Sequence, residues 1–144
     1  YSDYNGSHSA GVAEISLDEK NGKIKVHRYF IAVDPGLPLI PDNVKAQIES
    51  GVVYGISAAL TERVSHSDGI VDQSNFHDYE VLRMADVPAI VIEIIPFGDR
   101  PSAVGELGLP TTAPAIANAF FQMTGKRVRH MPMDGETIRE ALKS

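Results

Sequence analysis

Cysteine is absent from the chain. These residues therefore supply no disulfide, no thiolate metal site, no iron–sulfur ligation and no cysteine nucleophile. Long hydrophobic runs are missing too, none approaching the roughly 18 residues of a membrane span, so membrane insertion is not expected. Positive charge is in short supply: 13 Lys and Arg face 19 Asp and Glu, a formal net charge of -6. The one basic cluster is the short Lys126-Arg127-Val128-Arg129-His130 run, which argues against a nucleic-acid footprint. The histidines His8, His27, His66, His77 and His130 are scattered, with none at metal-ligand spacing from another, so no metal site built from this chain alone is expected. A Gly-x-Ser-x-Gly elbow, a phosphate-cradling Gly-Lys-Ser/Thr loop and a dinucleotide fingerprint are all missing, which removes support for serine hydrolysis, nucleotide hydrolysis and nicotinamide binding.

What is present is one domain's worth of globular sequence. The 144 residues are 43% hydrophobic and 22% charged, enough to bury a core without staples. The chain opens without Met, and residues 1–9 lack the basic segment and apolar core of a secretory signal, so the chain reads as a piece of a longer protein.

Alternating apolar and polar positions predict a strand over residues 10–17 and a second over 23–33. Between them, Asn21-Gly22 is favoured where two successive residues take positive φ, which predicts a hairpin. Asp34-Pro35-Gly36 breaks the sheet, and Pro41-Asp42-Asn43 opens a helix of about twenty residues whose apolar face recurs at Val44, Ile48, Val52, Ile56 and Ala59. Gly51 and Gly55 lie on a neighbouring line one turn apart. Each costs about 1 kcal/mol of helix propensity relative to Ala, so they predict close approach of another backbone or of a ligand.

Ser67-Asp68-Gly69 predicts a turn, Ile70-Val71 a short strand, and residues 89–95, apolar save Glu93, a largely buried strand. A loop of about fifteen residues follows, a length that is often functional. Thr111-Thr112-Ala113-Pro114 predicts a second helix with a hydroxyl cap, apolar almost all round and stopped by Gly125. Residues 128–133 read as a last edge strand, and Asp134-Gly135-Glu136-Thr137 caps a short tail helix. The fold class is thus α+β, with a mixed or antiparallel sheet, two main helices packed on it and a tail helix, all in a single domain over residues 1–144.

Two places carry polar groups suited to chemistry. Glu106 sits between Gly105 and Gly108 just ahead of the second helix, where a carboxylate can face a pocket as a general base or stand in solvent as a loop charge. Gln47, on the first helix, can both donate and accept hydrogen bonds to a ligand, or be a surface glutamine. His77-Asp78 beside Tyr79 reads as a hydrogen-bonded loop anchor.

Four ordered motifs add a resemblance. Pro41-Asp42-Asn43-Val44-Lys45-Ala46-Gln47-Ile48-Glu49-Ser50-Gly51 is followed by Gln73-Ser74-Asn75-Phe76-His77-Asp78-Tyr79, then by Val104-Gly105-Glu106 through Pro110, then by Ala113-Pro114-Ala115-Ile116-Ala117-Asn118-Ala119 with Thr124-Gly125-Lys126-Arg127-Val128. Together they resemble the C-terminal part of the molybdopterin-binding large subunit of the xanthine oxidase family, above all the isoquinoline 1-oxidoreductase beta subunits and bacterial aldehyde oxidoreductases. Leu107-Gly108-Leu109 departs from the Pro-Gly-Val often found there, and Ala103 from the usual glycine.

The resemblance implies a segment of a molybdenum hydroxylase that oxidises an aldehyde or an N-heterocycle with water as the oxygen source. It implies Glu106 as general base, with Gln47 and Gly105 contacting a molybdenum–molybdopterin cofactor of the cytosine dinucleotide form. It also implies two protein partners, the remainder of the large subunit and an iron–sulfur small subunit. The fragment alone is then expected to be inactive and to bind no cofactor. Relatives occur on both sides of the bacterial inner membrane, leaving the compartment open. A non-catalytic α+β binding or assembly module is the alternative.

Overall fold

The computed structural model describes residues 2–4 and 6–143. Its core is a four-stranded sheet in the order β1-β2-β3-β6, formed by β1 (Ser2–Tyr4), β2 (Ser7–Asp18), β3 (Lys23–Asp34) and β6 (Ala89–Ile94). The first three strands run antiparallel and β6 pairs parallel to β3, so the sheet is mixed. A parallel neighbour needs a crossover, and here it is made by α1 (Pro41–Leu60), the two-stranded hairpin β4 (His66–Ser67) and β5 (Ile70–Val71), and a short 3-10 turn at Met84–Asp86. After β6 come a long loop, α2 (Thr112–Thr124) and the tail helix α3 (Gly135–Lys143). The α+β architecture expected from the sequence is the one found.

One face of the sheet makes the core. Ile24, Val26, Tyr29, Ile31 and Val33 of β3 are buried against Val44, Ile48, Val52 and Ile56 of α1 and Ile116 and Phe120 of α2, with Leu107, Met133 and Ile138 closing the edges. The four α1 residues recur every fourth position, which keeps them on one stripe. Gly51 and Gly55 form a second buried line, and here the loop before α2 comes in at backbone distance. A Cβ on Gly51 would lie 3.2 Å from Gly108 Cα, and a Cβ on Gly108 would lie 2.6 Å from the Ile48 carbonyl oxygen. Backbone meets backbone there, and only glycine leaves room.

Several local expectations are corrected. The β2–β3 hairpin exists, but its turn spans four residues, and of the Asn21-Gly22 pair only Gly22 has positive φ; the Gly22 N–H closes on the Asp18 carbonyl at 2.8 Å. The two-residue turn with both φ positive is Asp68-Gly69, between β4 and β5. β6 is half-buried, not largely buried, because it forms the sheet's edge and its alternate residues Ala89, Val91 and Glu93 face outward and are exposed. α2 buries one stripe, with Asn118, Gln122 and Met123 exposed, and its Thr111 hydroxyl makes no capping bond. Residues 128–133 form no strand: Pro132 has no N–H to donate, and the Met133 N–H goes to the Ala59 carbonyl at the end of α1, 2.7 Å away. α3 is capped as expected, the Asp134 carboxylate accepting the Thr137 N–H at 3.0 Å.

Two substitutions separate these packing effects. Gly108→Ala forces a methyl against the Ile48 carbonyl and should lower the unfolding free energy by about 1–3 kcal/mol in urea titration; an unchanged midpoint would show that the loop and α1 separate freely. Leu107→Ala empties a fully buried position and should cost about 2–5 kcal/mol by the same measurement.

Candidate functional site

The segment from residue 96 to residue 111 is a loop in which successive residues are pinned from different directions. At its start, Asp34 at the end of β3 accepts N–H bonds from Gly36 (2.9 Å) and Phe97 (3.0 Å), and these bonds, the Gly36 one foremost, hold its carboxyl below the usual aspartate range. Leu37 N–H donates to the Arg100 carbonyl and Ser102 N–H to the Pro35 carbonyl, both at 2.9 Å. From β2, the buried Ser7 hydroxyl meets the Ser102 hydroxyl at 2.6 Å and the Ala103 carbonyl, and the buried Ser9 hydroxyl donates to the Leu107 carbonyl at 3.0 Å. From α1, the Gln47 side-chain amide Nε2 donates to the Gly105 carbonyl at 2.8 Å. The far end is fixed by Tyr29, fully buried, whose hydroxyl donates to Thr111 Oγ1 at 2.9 Å and whose burial pushes the phenol above its ordinary pKa.

Two of the three sequence-predicted site residues are thereby joined. Gln47 and Gly105 share one wall of an open groove of about 360 Å³, whose apolar lining includes Leu37, Leu39, Ile40 and Val104. Glu106 is the next residue, exposed at the loop's crest directly above the buried Leu107, and its side chain is not part of the groove lining. Its backbone carbonyl accepts the Leu109 N–H at 3.0 Å, while its carboxylate has no hydrogen-bond or ion-pair partner among the described residues. The glycines do not make this loop slack. Gly108 is locked onto α1, and Gly105 has ordinary φ and nothing within 4 Å of where its Cβ would be. Neither strain nor crowding inside this chain calls for glycine at 105, and the missing side chain leaves open surface beside the Gln47 amide.

The remaining candidates are structural. Asp78 accepts the backbone N–H groups of Asn75 (2.9 Å) and Ser74 (2.8 Å) and the Ser74 hydroxyl, which pull its carboxyl down to about 2. His77 is exposed and 3.7 Å from Asp78, so the anchor is the carboxylate and not the imidazole. Among the described residues no group of three or more His, Cys, Asp or Glu could hold a metal ion. Ser7, Ser9 and Asp34 were not singled out from the sequence. The signal for the serines was available: carried back from Ala13 in steps of two, the alternation of Ala13, Ile15 and Leu17 places Ser9 and Ser7 on the inner face.

Comparison with known proteins assigns the chain to a family. Residues 2–88 match the family model described as molybdopterin cofactor-binding domain, a stretch that contains Gln47 and ends before Gly105 and Glu106. The chain is 42% identical over 133 residues to the isoquinoline 1-oxidoreductase subunit beta of Brevundimonas diminuta, covering 92% of this chain and 17% of that one. It is 35% identical to the membrane-bound aldehyde dehydrogenase [pyrroloquinoline-quinone] of Gluconacetobacter polyoxogenes, again over 92% and 17%. Among solved structures, the aldehyde oxidoreductase of Desulfovibrio gigas superposes with a TM-score of 0.83 at 26% identity, over 96% of this chain and 16% of that one. The chain thus spans about a sixth of the length of these relatives. With the family model matched over more than half of its residues, the chain belongs to the molybdopterin cofactor-binding domain family, in keeping with its resemblance to the large subunits of the xanthine oxidase family.

Proposed function

We propose that this chain is the C-terminal part of a molybdenum hydroxylase catalytic subunit, that Gln47 and Gly105 hold one side of its molybdenum–pterin cofactor, and that Glu106 is its general base. The observation that carries the reading is the Gln47–Gly105 pair: a side-chain amide fixed at 2.8 Å from a loop carbonyl, beside a glycine whose open position neither φ nor packing in this chain requires. A cradle that a Cβ would narrow suits a large planar group brought up to the backbone. One Gln47 N–H is used on Gly105, leaving the amide's second N–H and its carbonyl oxygen for polar atoms of such a group.

The bound group would supply the two-electron oxidation chemistry. The cytosine dinucleotide form is the one the resemblance favours. Glu106 contributes an acceptor. An ionised carboxylate offers only lone pairs, so it takes up a proton as oxygen from water is delivered to the carbon being oxidised, and it returns that proton to solvent afterwards. Pinning on both sides supports the assignment, because a base held by Gly105, Leu107 and Leu109 keeps its backbone in place while its side chain alone moves. The names of relatives place aldehydes and an N-heterocycle among the substrates of such enzymes, and these are the classes proposed here. The electrons leave through an iron–sulfur partner, and the fragment by itself is inactive.

Two variants made in the complete subunit test separate parts of this reading. Glu106→Gln should reduce kcat by about 10²–10⁴-fold with molybdenum content unchanged, and retained turnover would reduce Glu106 to a surface charge. Gly105→Ala should leave the unfolding free energy of the 144-residue chain within about 0.5 kcal/mol of the parent yet lower the molybdenum bound by the complete subunit. Full molybdenum content would remove Gly105 from the cofactor site.

A further inference from the structure

β2 is twelve residues long, but β1 covers only its first part, pairing Ser2, Asp3 and Tyr4 with Ser9, His8 and Ser7. From Ala10 to Asp18 the strand is paired on one side by β3, and among the described residues its other edge has no partner. Beneath that edge runs a groove of about 460 Å³ between β2 and α2, lined mainly by small and apolar residues such as Gly11, Ala13, Ala115 and Ala119, with Asn118 and Gln122 as its polar members. Natural edges are usually blunted by charge, proline or a bulge. Here Ala10-Gly11-Val12-Ala13 carries neither charge nor proline, and the bulge falls later, between Glu14 and Ile15. On the outer face the strand register aligns Val12, Phe30 and Val91 in one exposed apolar row that ends at the same open edge.

We propose that the open edge of β2 receives an extended strand from the remainder of the molybdopterin-binding subunit. Main-chain hydrogen bonds would join it to residues 10–17, its inward side chains would fill the groove under α2, and its outward ones would lengthen the Val12–Phe30–Val91 row. The length of the relatives supports this occupant, since more than four fifths of each lies outside the stretch this chain matches. A second copy is disfavoured because each copy carries a net charge of -6. The inference rests on the proposed membership of a larger subunit but not on the role of Glu106.

Hydrogen exchange tests it. The chain is compared by itself and grafted into the Brevundimonas diminuta isoquinoline 1-oxidoreductase subunit beta in place of the matched stretch. Amides in residues 10–17 that exchange freely in the separate chain should slow by about tenfold or more in the graft. Equal exchange in both would overturn the proposal, as would a dimer of the separate chain that shows the same protection. If the graft does not accumulate, the separate chain is co-expressed with that subunit lacking the stretch. Capture of the parent but not of Ala119→Arg, whose thermal midpoint alone should match the parent's, supports the proposal; capture of both or of neither overturns it. Exchange is read independently of turnover, so an inactive graft with a protected edge supports the proposal, and the role of Glu106 is decided separately by Glu106→Gln.

Discussion

The contact on which the site depends is the backbone approach of Gly108 to α1. At that point the helix presents Gly51 and the Ile48 carbonyl, and the loop presents a residue without a side chain, so the two main chains close to van der Waals distance. The residues on either side of Gly108 take their places from this seat. Next to it Leu107 is buried in the core, while Glu106, the residue before it, stands at the surface of a turn closed by the Leu109 N–H on the Glu106 carbonyl. The seat also brings the Gly105 carbonyl within reach of Gln47, one helical turn before Gly51.

The second device is polar. Ser7 and Ser9 are buried hydroxyls on the inner face of β2, where apolar residues would add to the core. Their bonds reach the Ser102 hydroxyl and the Ala103 and Leu107 carbonyls, and the last of these is buried, where a carbonyl without a partner would cost about 1–3 kcal/mol. The loop is therefore held by the sheet on one side and the helix on the other. Glycine at 108 marks contact with α1, whereas the side of 105 that a Cβ would take is open.

Much of this was legible in the sequence. The 3.6-residue period of Val44, Ile48, Val52 and Ile56 fixed α1, the period of two fixed β2 and β3, and Gly125 marked the end of α2 with a left-handed φ of 70. Motif order pointed to the family, and it named Gln47, Gly105 and Glu106 as the candidates proposed above. The misreadings share one cause: local pattern does not say which neighbour an element will have. An apolar run at residues 89–94 reads as buried whether it is central or at an edge, and residues 128–133 look like a strand although the Met133 N–H pairs with a helix end.

By itself, then, the sequence determined α1, β2 and β3 and the faces they bury, since these depend on residue type and on spacing along one chain, while Glu106 was singled out by a resemblance of motifs. Tertiary structure decided the partners: that Gly51 was kept small for Gly108, that Gln47 meets a carbonyl fifty-eight residues away, and that among the described residues β2 has a second neighbour only along its first part. Such pairings join segments far apart in the chain, and their geometry is set by how sheet and helices pack, a property that no local period encodes.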